Sequence, residues 1–364
     1  MVKRNLRAVR TVCSRVLLGA YPCWLYLDGR QSLYVLHNEM GSKMKILVTG
    51  GLGLIGHNVV HRLEKLGHDV VIVDNQTTYG IIPQSELDYL IAERRKKITS
   101  SAVYNADITS DTVEYLCNRY KFDTIIHMAS FPRQKVVNAN PMQGADTMMT
   151  GLLNILESAK THQVKRVVYI SSSMVYGDFV DDVTEDAVCR PQGQYGIMKL
   201  AGEHLVKDYT RRGCFDYTIL RPSAVYGPLD VEDRVVSKFM LTAMRGGVLK
   251  VNGSSETLDF TYVDDAADGV VAAALVPAAA NQTFNITKSH SVSLLGAARM
   301  IIEIVGKGSI ELRDKDADFP SRGALNIDRA KQVLGYNPQV DVEEGFENYY
   351  GWFKSSVYWA PKTV

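Results

Sequence analysis

The sequence predicts an α/β protein built on a doubly wound parallel sheet, with a smaller C-terminal substrate-binding lobe. Three observations predict it. Short β-branched runs alternate with helical patterns from Lys45 to Arg221. A glycine-rich turn, Thr49-Gly50-Gly51-Leu52-Gly53-Leu54-Ile55-Gly56, separates the first run from the first helical pattern. After Arg221-Pro222 the alternation breaks into shorter segments interrupted by Gly and Pro.

Residues 45–49 read as a short buried strand, and residues 55–66 as the first helix, ended by Gly67-His68. Val70-Val71-Ile72-Val73 is a second buried strand closing on Asp74-Asn75, followed by a polar excursion over 76–100. A third strand over 103–106 ends at Asp107, a helix spans 112–120, and a fourth strand spans 124–128. A long helix over 144–160, a strand over 166–171, a helix over 194–211 and a strand over 217–221 continue the series. Beyond it, 264–275 and 294–305 read as helices and 282–286 as a strand. The expected division is a non-core extension over 1–43 and a dinucleotide-binding domain over 44–225 with return elements near 256–287. A lobe made of 226–255 and 288–364 completes it.

Composition narrows the classes. With 364 residues, 46% hydrophobic and 22% charged, the chain is ordinary for a globular protein. A net charge of +1 gives no reason to expect nucleic acid or a membrane surface as partner. The five cysteines, at 13, 23, 117, 189 and 214, are odd in number and form no Cys-x-x-Cys. Neither a disulfide framework nor a metal site is expected, and a reducing, cytoplasmic setting fits. Cys189 is close in sequence to Tyr195 and reads as a packed or loop thiol. Lys3, Arg4, Arg7, Arg10 and Arg15 precede an apolar run over 16–27 that is too short to span a bilayer. That basic flank resembles a targeting segment, but no small-x-small cleavage site follows, so a plain extension and a targeting role both stay open.

Gly50, Gly53 and Gly56 permit a tight turn and a close backbone approach to a pyrophosphate at a helix N-terminus. Asp74, at the end of the next strand, stands where a carboxylate accepts from ribose hydroxyls and repels a 2′-phosphate, which favours NAD. Asp107 is either in reach of an adenine edge or an N-cap for the next helix. Tyr195 and Lys199 lie one helical turn apart on one face, and a cation there would lower the phenol's pKa. Such a phenol can take a proton from an alcohol while a nicotinamide takes the hydride.

These residues resemble the extended short-chain dehydrogenase/reductase family, the nucleotide-sugar epimerases and dehydratases with a Rossmann fold. The resemblance covers residues 45–352. It rests on the glycine turn, Asp74-Asn75, Asp107-Ile108, His127-Met128-Ala129-Ser130, Ser171-Ser172-Ser173-Met174-Val175-Tyr176-Gly177 and Tyr195-x-x-x-Lys199. Leu220-Arg221-Pro222-Ser223-Ala224-Val225-Tyr226-Gly227-Pro228 and Asp259-Phe260-Thr261-Tyr262-Val263-Asp264-Asp265 complete it. It implies a cofactor site of Gly50, Gly53, Leu54, Ile55, Asp74, Asn75, Asp107, Ile108, Tyr195 and Lys199. It also implies a catalytic set in which Ser172 bonds the sugar O4 and Tyr195 is the acid/base. Lys199 would hold the nicotinamide ribose and depress the Tyr195 pKa. Ser172, Ser173 and Tyr195 would face the sugar. Arg322, in Pro320-Ser321-Arg322-Gly323, resembles a family arginine on the diphosphate, with Arg234 a second candidate. Arg133 and Lys135 could face the sugar, which spacing does not decide.

The implied activity is NAD-dependent 4-epimerisation of a nucleotide-diphosphate sugar, a UDP-sugar favoured, through a transient 4-keto species. The alternatives are a C4 dehydrogenase that releases the ketone, as in GDP-heptose 4-dehydrogenases, and a non-catalytic NAD-binding regulator. Departures from the pattern bear on this choice. Where 4,6-dehydratases carry an Asp-Glu pair, this chain has Ser173 and Met174, and decarboxylases place Glu where Met174 stands. Met148 and Ala224 replace asparagines common in epimerases. By resemblance a homodimer would form through helices 144–160 and 194–211.

Overall fold

The structure, a computed structural model, describes residues 43–359 apart from 132 and 318. The expectations for the first 42 residues, Cys13 and Cys23 included, lie outside the described residues. Lys45–Thr49 (β1), Asp69–Asp74 (β2), Ala102–Asn105 (β3), Thr124–His127 (β4), Arg166–Ile170 (β5) and Asp216–Pro222 (β6) are joined by Gln282–Ile286, the last strand of the sheet. All seven pair in parallel, and Gln282–Ile286 lies outermost beside β6, followed inward by β5, β4, β1, β2 and β3. This is the doubly wound sheet that the β-branched runs predict. Its central strands are covered on both faces, so Ile46, Leu47 and Val48 of β1 are each 0% exposed. Each such side chain contributes about 1.5–3 kcal/mol of burial.

The crossovers are the helices Leu54–Lys65 (α1), Gln84–Arg95 (α2) and Thr112–Tyr120 (α3), then Gln134–Ala139 (α4) and Pro141–Ala145 (α5), and finally Gly151–Thr161 (α6) and Gly193–Arg211 (α7). Two differ from the sequence reading. The excursion after β2 contains α2, whose Leu87 and Leu90 are buried in the core of the C-terminal lobe rather than in the sheet's own core. The long helix expected over 144–160 is interrupted by a π-turn, Asp146–Thr150, between α5 and α6.

The lobe contains Val235–Met244 (α8), Leu294–Val305 and Val342–Ser355, with small two-stranded sheets. Its core gathers Phe239, Met240, Ile301, Phe346, Tyr349 and Phe353. The return elements are narrower than expected. Thr257–Asp259 pairs with Ser291–Ser293, and Thr261–Tyr262 with Val225–Tyr226, so these strands stay outside the large sheet. Only the helix Val263–Leu275 and the strand Gln282–Ile286 return to it. That helix is clamped to α1 by Arg62, which pairs with Asp264 at 2.8 Å and Asp268 at 2.5 Å. Among the described residues, no helix is long and apolar enough to cross a membrane.

Candidate active site

Two adjoining cavities open at the C-terminal ends of the parallel strands, where ligands bind in sheets of this kind. The smaller, about 350 Å³, begins at the turn after β1. Gly50 there has φ of 71°, and a Cβ on it would lie 2.7 Å from the Ala129 nitrogen. A Cβ on Gly56 would lie 2.2 Å from the Gly50 carbonyl oxygen. Glycine is therefore required for the turn to fold back on α1. Gly53, the N-cap of α1, leaves the helix N-terminus without a side-chain cap, which suits an anion.

Asp74 closes β2 in the same cavity. Its Oδ2 accepts from the Leu52 N–H at 2.9 Å and its Oδ1 from the Gln76 N–H at 2.8 Å. A carboxylate has about four acceptor sites, so two stay open for ribose hydroxyls. Burial is the main influence on this carboxyl and pushes its pKa up. Asn75, Leu54, Ile55 and Ile108 line the cavity, but Asp107 does not. Asp107 holds the loop: its Oδ1 takes the Thr109 N–H and Oγ, and its Oδ2 accepts from Asn75 Nδ2 at 2.8 Å. The N-cap of the following helix is Asp111, not Asp107. Asn154, which the sequence reading did not single out, supports the same loop through the Ile108 and Ser110 carbonyls. The glycine cradle, the uncapped helix N-terminus and the half-satisfied Asp74 fit a dinucleotide.

Ser172 and Tyr195 stand at the seam of the two cavities, and Lys199 lines the smaller one beside them. Ser172 follows β5, and its Oγ accepts from the Met174 N–H at 3.2 Å, which leaves its own proton to donate into the site. Its hydroxyl acts on the Tyr195 phenol in the direction that lowers that group's pKa. Lys199 is buried and donates to the Ile170 carbonyl at 2.8 Å, with its Nζ 5.8 Å from the Tyr195 ring centroid. Burial pulls Lys199 down to about 7, opposed by Glu203 below it on α7.

One expectation changes here. Burial raises the Tyr195 phenol rather than leaving it depressed, and the cation that opposes the rise is Arg234, with the Ser172 hydrogen bond adding to it. Lys199 donates to a main-chain carbonyl, and Arg234 rather than Lys199 is the cation that acts on the phenol. Arg234, expected at a diphosphate, sits at the seam beside Tyr195 and 4.0 Å from the buried Asp230.

The larger cavity, about 720 Å³, is lined by Ser172, Ser173, Arg234 and Arg322, among others. The Arg322 Nε is buried with no hydrogen-bond partner, and burial pulls this guanidinium down to about 10 despite Glu256. A guanidinium with a buried, unpartnered Nε suits an anionic ligand. Lys135 and Arg133 are at its rim, paired with Asp316 and Asp233. Met174 is buried and brings no carboxylate to the site. Ala224 takes φ of 35°, a left-handed position that asparagine tolerates better.

Beneath the site is a network that motif reading missed. Arg221 on β6 pairs with Glu203 at 2.6 Å, and Ser171 donates to Glu203 at 2.6 Å. Arg221 also donates to the Tyr176 hydroxyl at 2.9 Å. The network ties Ser171 and Tyr176, which flank Ser172 in the chain, to α7 and β6. Arg94 of α2 is another: it is buried and donates to the Leu52 carbonyl at 2.9 Å and the Leu229 carbonyl at 2.6 Å. Cys189 is half-buried, and burial raises its pKa, as for a packed thiol. Among the described residues, no cluster of His, Cys, Asp and Glu could hold a metal ion.

The fold and the seam define a dinucleotide-dependent enzyme scaffold with a phenol, a serine and a lysine lining its cofactor cavity. Residues 46–287 match the NAD dependent epimerase/dehydratase family, and the chain belongs to it. It is 30% identical over 311 residues to an uncharacterized UDP-glucose epimerase of Bacillus subtilis, covering 84% of this chain and 96% of the relative. It is also 30% identical over 325 residues to UDP-glucuronic acid decarboxylase 1 of Xenopus tropicalis, covering 86% and 73%. Among solved structures it is similar to UDP-glucuronic acid 4-epimerase from Bacillus cereus in complex with UDP-glucuronic acid and NAD. That likeness has a TM-score of 0.78 at 26% identity, covering 86% of this chain and 99% of the other.

Proposed function

We propose that this protein is an NAD-dependent 4-epimerase of a UDP-sugar. The observation that carries the reading is the seam itself. Ser172 and Tyr195, with Lys199 beside them, stand where the cavity at the glycine turn opens into a cation-lined one, and the residues after Ser172 bring no carboxylate. When bound, NAD supplies a hydride acceptor and donor. Tyr195 takes the proton of the sugar O4, and Ser172 orients that oxygen and passes hydrogen bonding to Tyr195. Arg234 favours the phenolate, and Lys199 binds the nicotinamide ribose. Arg322 and the cavity around it hold the diphosphate while the sugar turns over. Return of hydride to the opposite face of C4 gives the epimer.

Decarboxylase relatives are a second reading, and buried Met174 in place of an acidic residue disfavours it. A homodimer through α6 and α7 is proposed with it, and Leu153 and Ile197, 39% and 52% exposed on those helices, support that surface. The test is to incubate the purified protein with UDP-glucose, UDP-glucuronate, UDP-N-acetylglucosamine and GDP-sugars and follow products and bound NADH. Epimer without net NADH supports this reading. Accumulated ketone, released carbon dioxide, or NAD binding without turnover would each replace it with a different one.

A further inference from the structure

We propose that Tyr79 is the wall between the cofactor and sugar compartments and confines the 4-keto sugar until hydride returns, a proposal that rests on the epimerase reading. Tyr79 lines both cavities, as Ser172 and Tyr195 do, so it stands at the seam where the chemistry occurs. It belongs to the loop between β2 and α2, where Gln76, Tyr79 and Gly80 have φ of 52°, 56° and 77°. A bulky residue in this left-handed region costs about 1–2 kcal/mol and persists where its surroundings hold it. Two contacts hold this one. The ring rests on Phe131 with centroids 4.1 Å apart, and Phe131 is 0% exposed. The hydroxyl reaches the Thr147 Oγ at 3.4 Å, on the π-turn. Phe131, Val137 and Met148 form the centre of an apolar cluster onto which Tyr79, Tyr195 and Met198 all pack.

The chemistry explains why an aromatic wall suits the seam. In the first half-reaction the C4–H hydride leaves for the nicotinamide, the O4 proton goes to Tyr195, and the C4–O bond becomes a carbonyl. The ketone no longer donates a hydrogen bond from O4. It must then present its other face, so a wall that bonds to the sugar would resist the turn, whereas the face of a ring offers the sugar no hydrogen bond to break. A missing wall leaves the oxidised sugar ring unconfined, so the 4-keto UDP-sugar can leave and strand the cofactor reduced. The ring of Tyr79, backed by Phe131, confines the sugar without fixing its orientation.

Two readouts test this on the full chain. In the first, Tyr79→Ala and Tyr79→Phe are compared with wild type for NADH accumulated per epimer formed, using the UDP-sugar the wild type turns over. Tyr79→Ala is expected to raise that ratio ~10-fold or more, and Tyr79→Phe, which keeps the ring, less than ~3-fold. The second needs no turnover: iodide quenching of NADH fluorescence in enzyme loaded with NADH and UDP. Quenching should rise ~3-fold or more in Tyr79→Ala and stay near wild type in Tyr79→Phe. Unchanged ratio and quenching in Tyr79→Ala would overturn the wall, as would equal effects of the two variants. If the wild type epimerises nothing, the epimerase reading fails and the quenching result alone decides the wall. Should Tyr79→Ala melt early, Tyr79→Leu, which keeps an apolar contact with Phe131 but not the flat ring, is read by the same criteria.

Discussion

Burial of Lys199 between the rings of Tyr169 and Tyr195 takes its ammonium out of water, with Glu203 as the charge that partly compensates. Its folded-state pKa of about 7 lies below the ordinary 10.5. Below pH 7 both folded and unfolded chains carry the proton, and the folded one bears the full desolvation penalty. From about 7 to 10.5 the unfolded chain binds more protons, so this residue's contribution to stability improves as pH rises. Lys199→Met should therefore raise stability at neutral pH by roughly 2 kcal/mol while reducing turnover, and should flatten stability over that alkaline window. Thermal melts of both proteins between pH 6 and about 10 check it. A melt that falls on substitution at pH 7 counts against the buried charge. Tyr195→Phe removes the acid/base and nothing from the cavity wall. It should keep NAD affinity and lower kcat by about 10²–10⁴, measured by epimer formation and by NAD titration. Full turnover in that variant would remove Tyr195 from the mechanism.

The turn after β1 is the element on which the cofactor site depends. Gly56→Ala would set a methyl 2.2 Å from the Gly50 carbonyl, a main-chain atom that cannot move without unwinding the turn. NAD affinity should fall ~100-fold or more while the far-UV spectrum is retained, as read by calorimetric titration. The pair joining β6 to α7 is structural: Arg221→Met strands the Glu203 carboxylate, 0% exposed, and should cost about 3–5 kcal/mol in urea unfolding. These elements also mark how far the sequence could be read. The seven strands of the large sheet and the helices 112–120 and 294–305 were legible because short apolar runs and apolar stripes carry their own periodicity, whereas the two-stranded sheets of the lobe were not. Tyr195 and Lys199 were singled out by their spacing beside a glycine turn, and Ser172 only by the family resemblance. Helix α2 was not, because Glu86, Asp88, Glu93, Arg94 and Arg95 crowd its few apolar positions, and those face a lobe formed from much later residues. The field at Tyr195 was not legible either: Arg234 comes from another element, and Asp107's partners are set by loop geometry rather than spacing.

Across the molecule, Arg94 connects the cofactor turn to the sugar-binding side. One of its nitrogens holds Leu52 in that turn and another holds Leu229 beside the buried Asp230. Arg94→Met removes both bonds and the positive charge that favours ionised Asp230. It should lower stability by about 3 kcal/mol and weaken NAD and UDP binding together, in paired titrations. Loss of one affinity alone would show that the bridge is not shared. A chain starting at Lys43 carries the seven strands and both cavities, and it is expected to keep NAD binding in the same titration.

The outermost strand, Gln282–Ile286, closes the sheet only after the chain has left it at Pro222 and built part of the lobe. During synthesis at ~5–20 residues per second, β6 therefore waits several seconds with one backbone edge unpaired. A ribosome-bound nascent chain in that interval exposes a template for strand addition by another chain. The time taken to translate residues 222–282 therefore sets how long that edge of β6 stays unpaired.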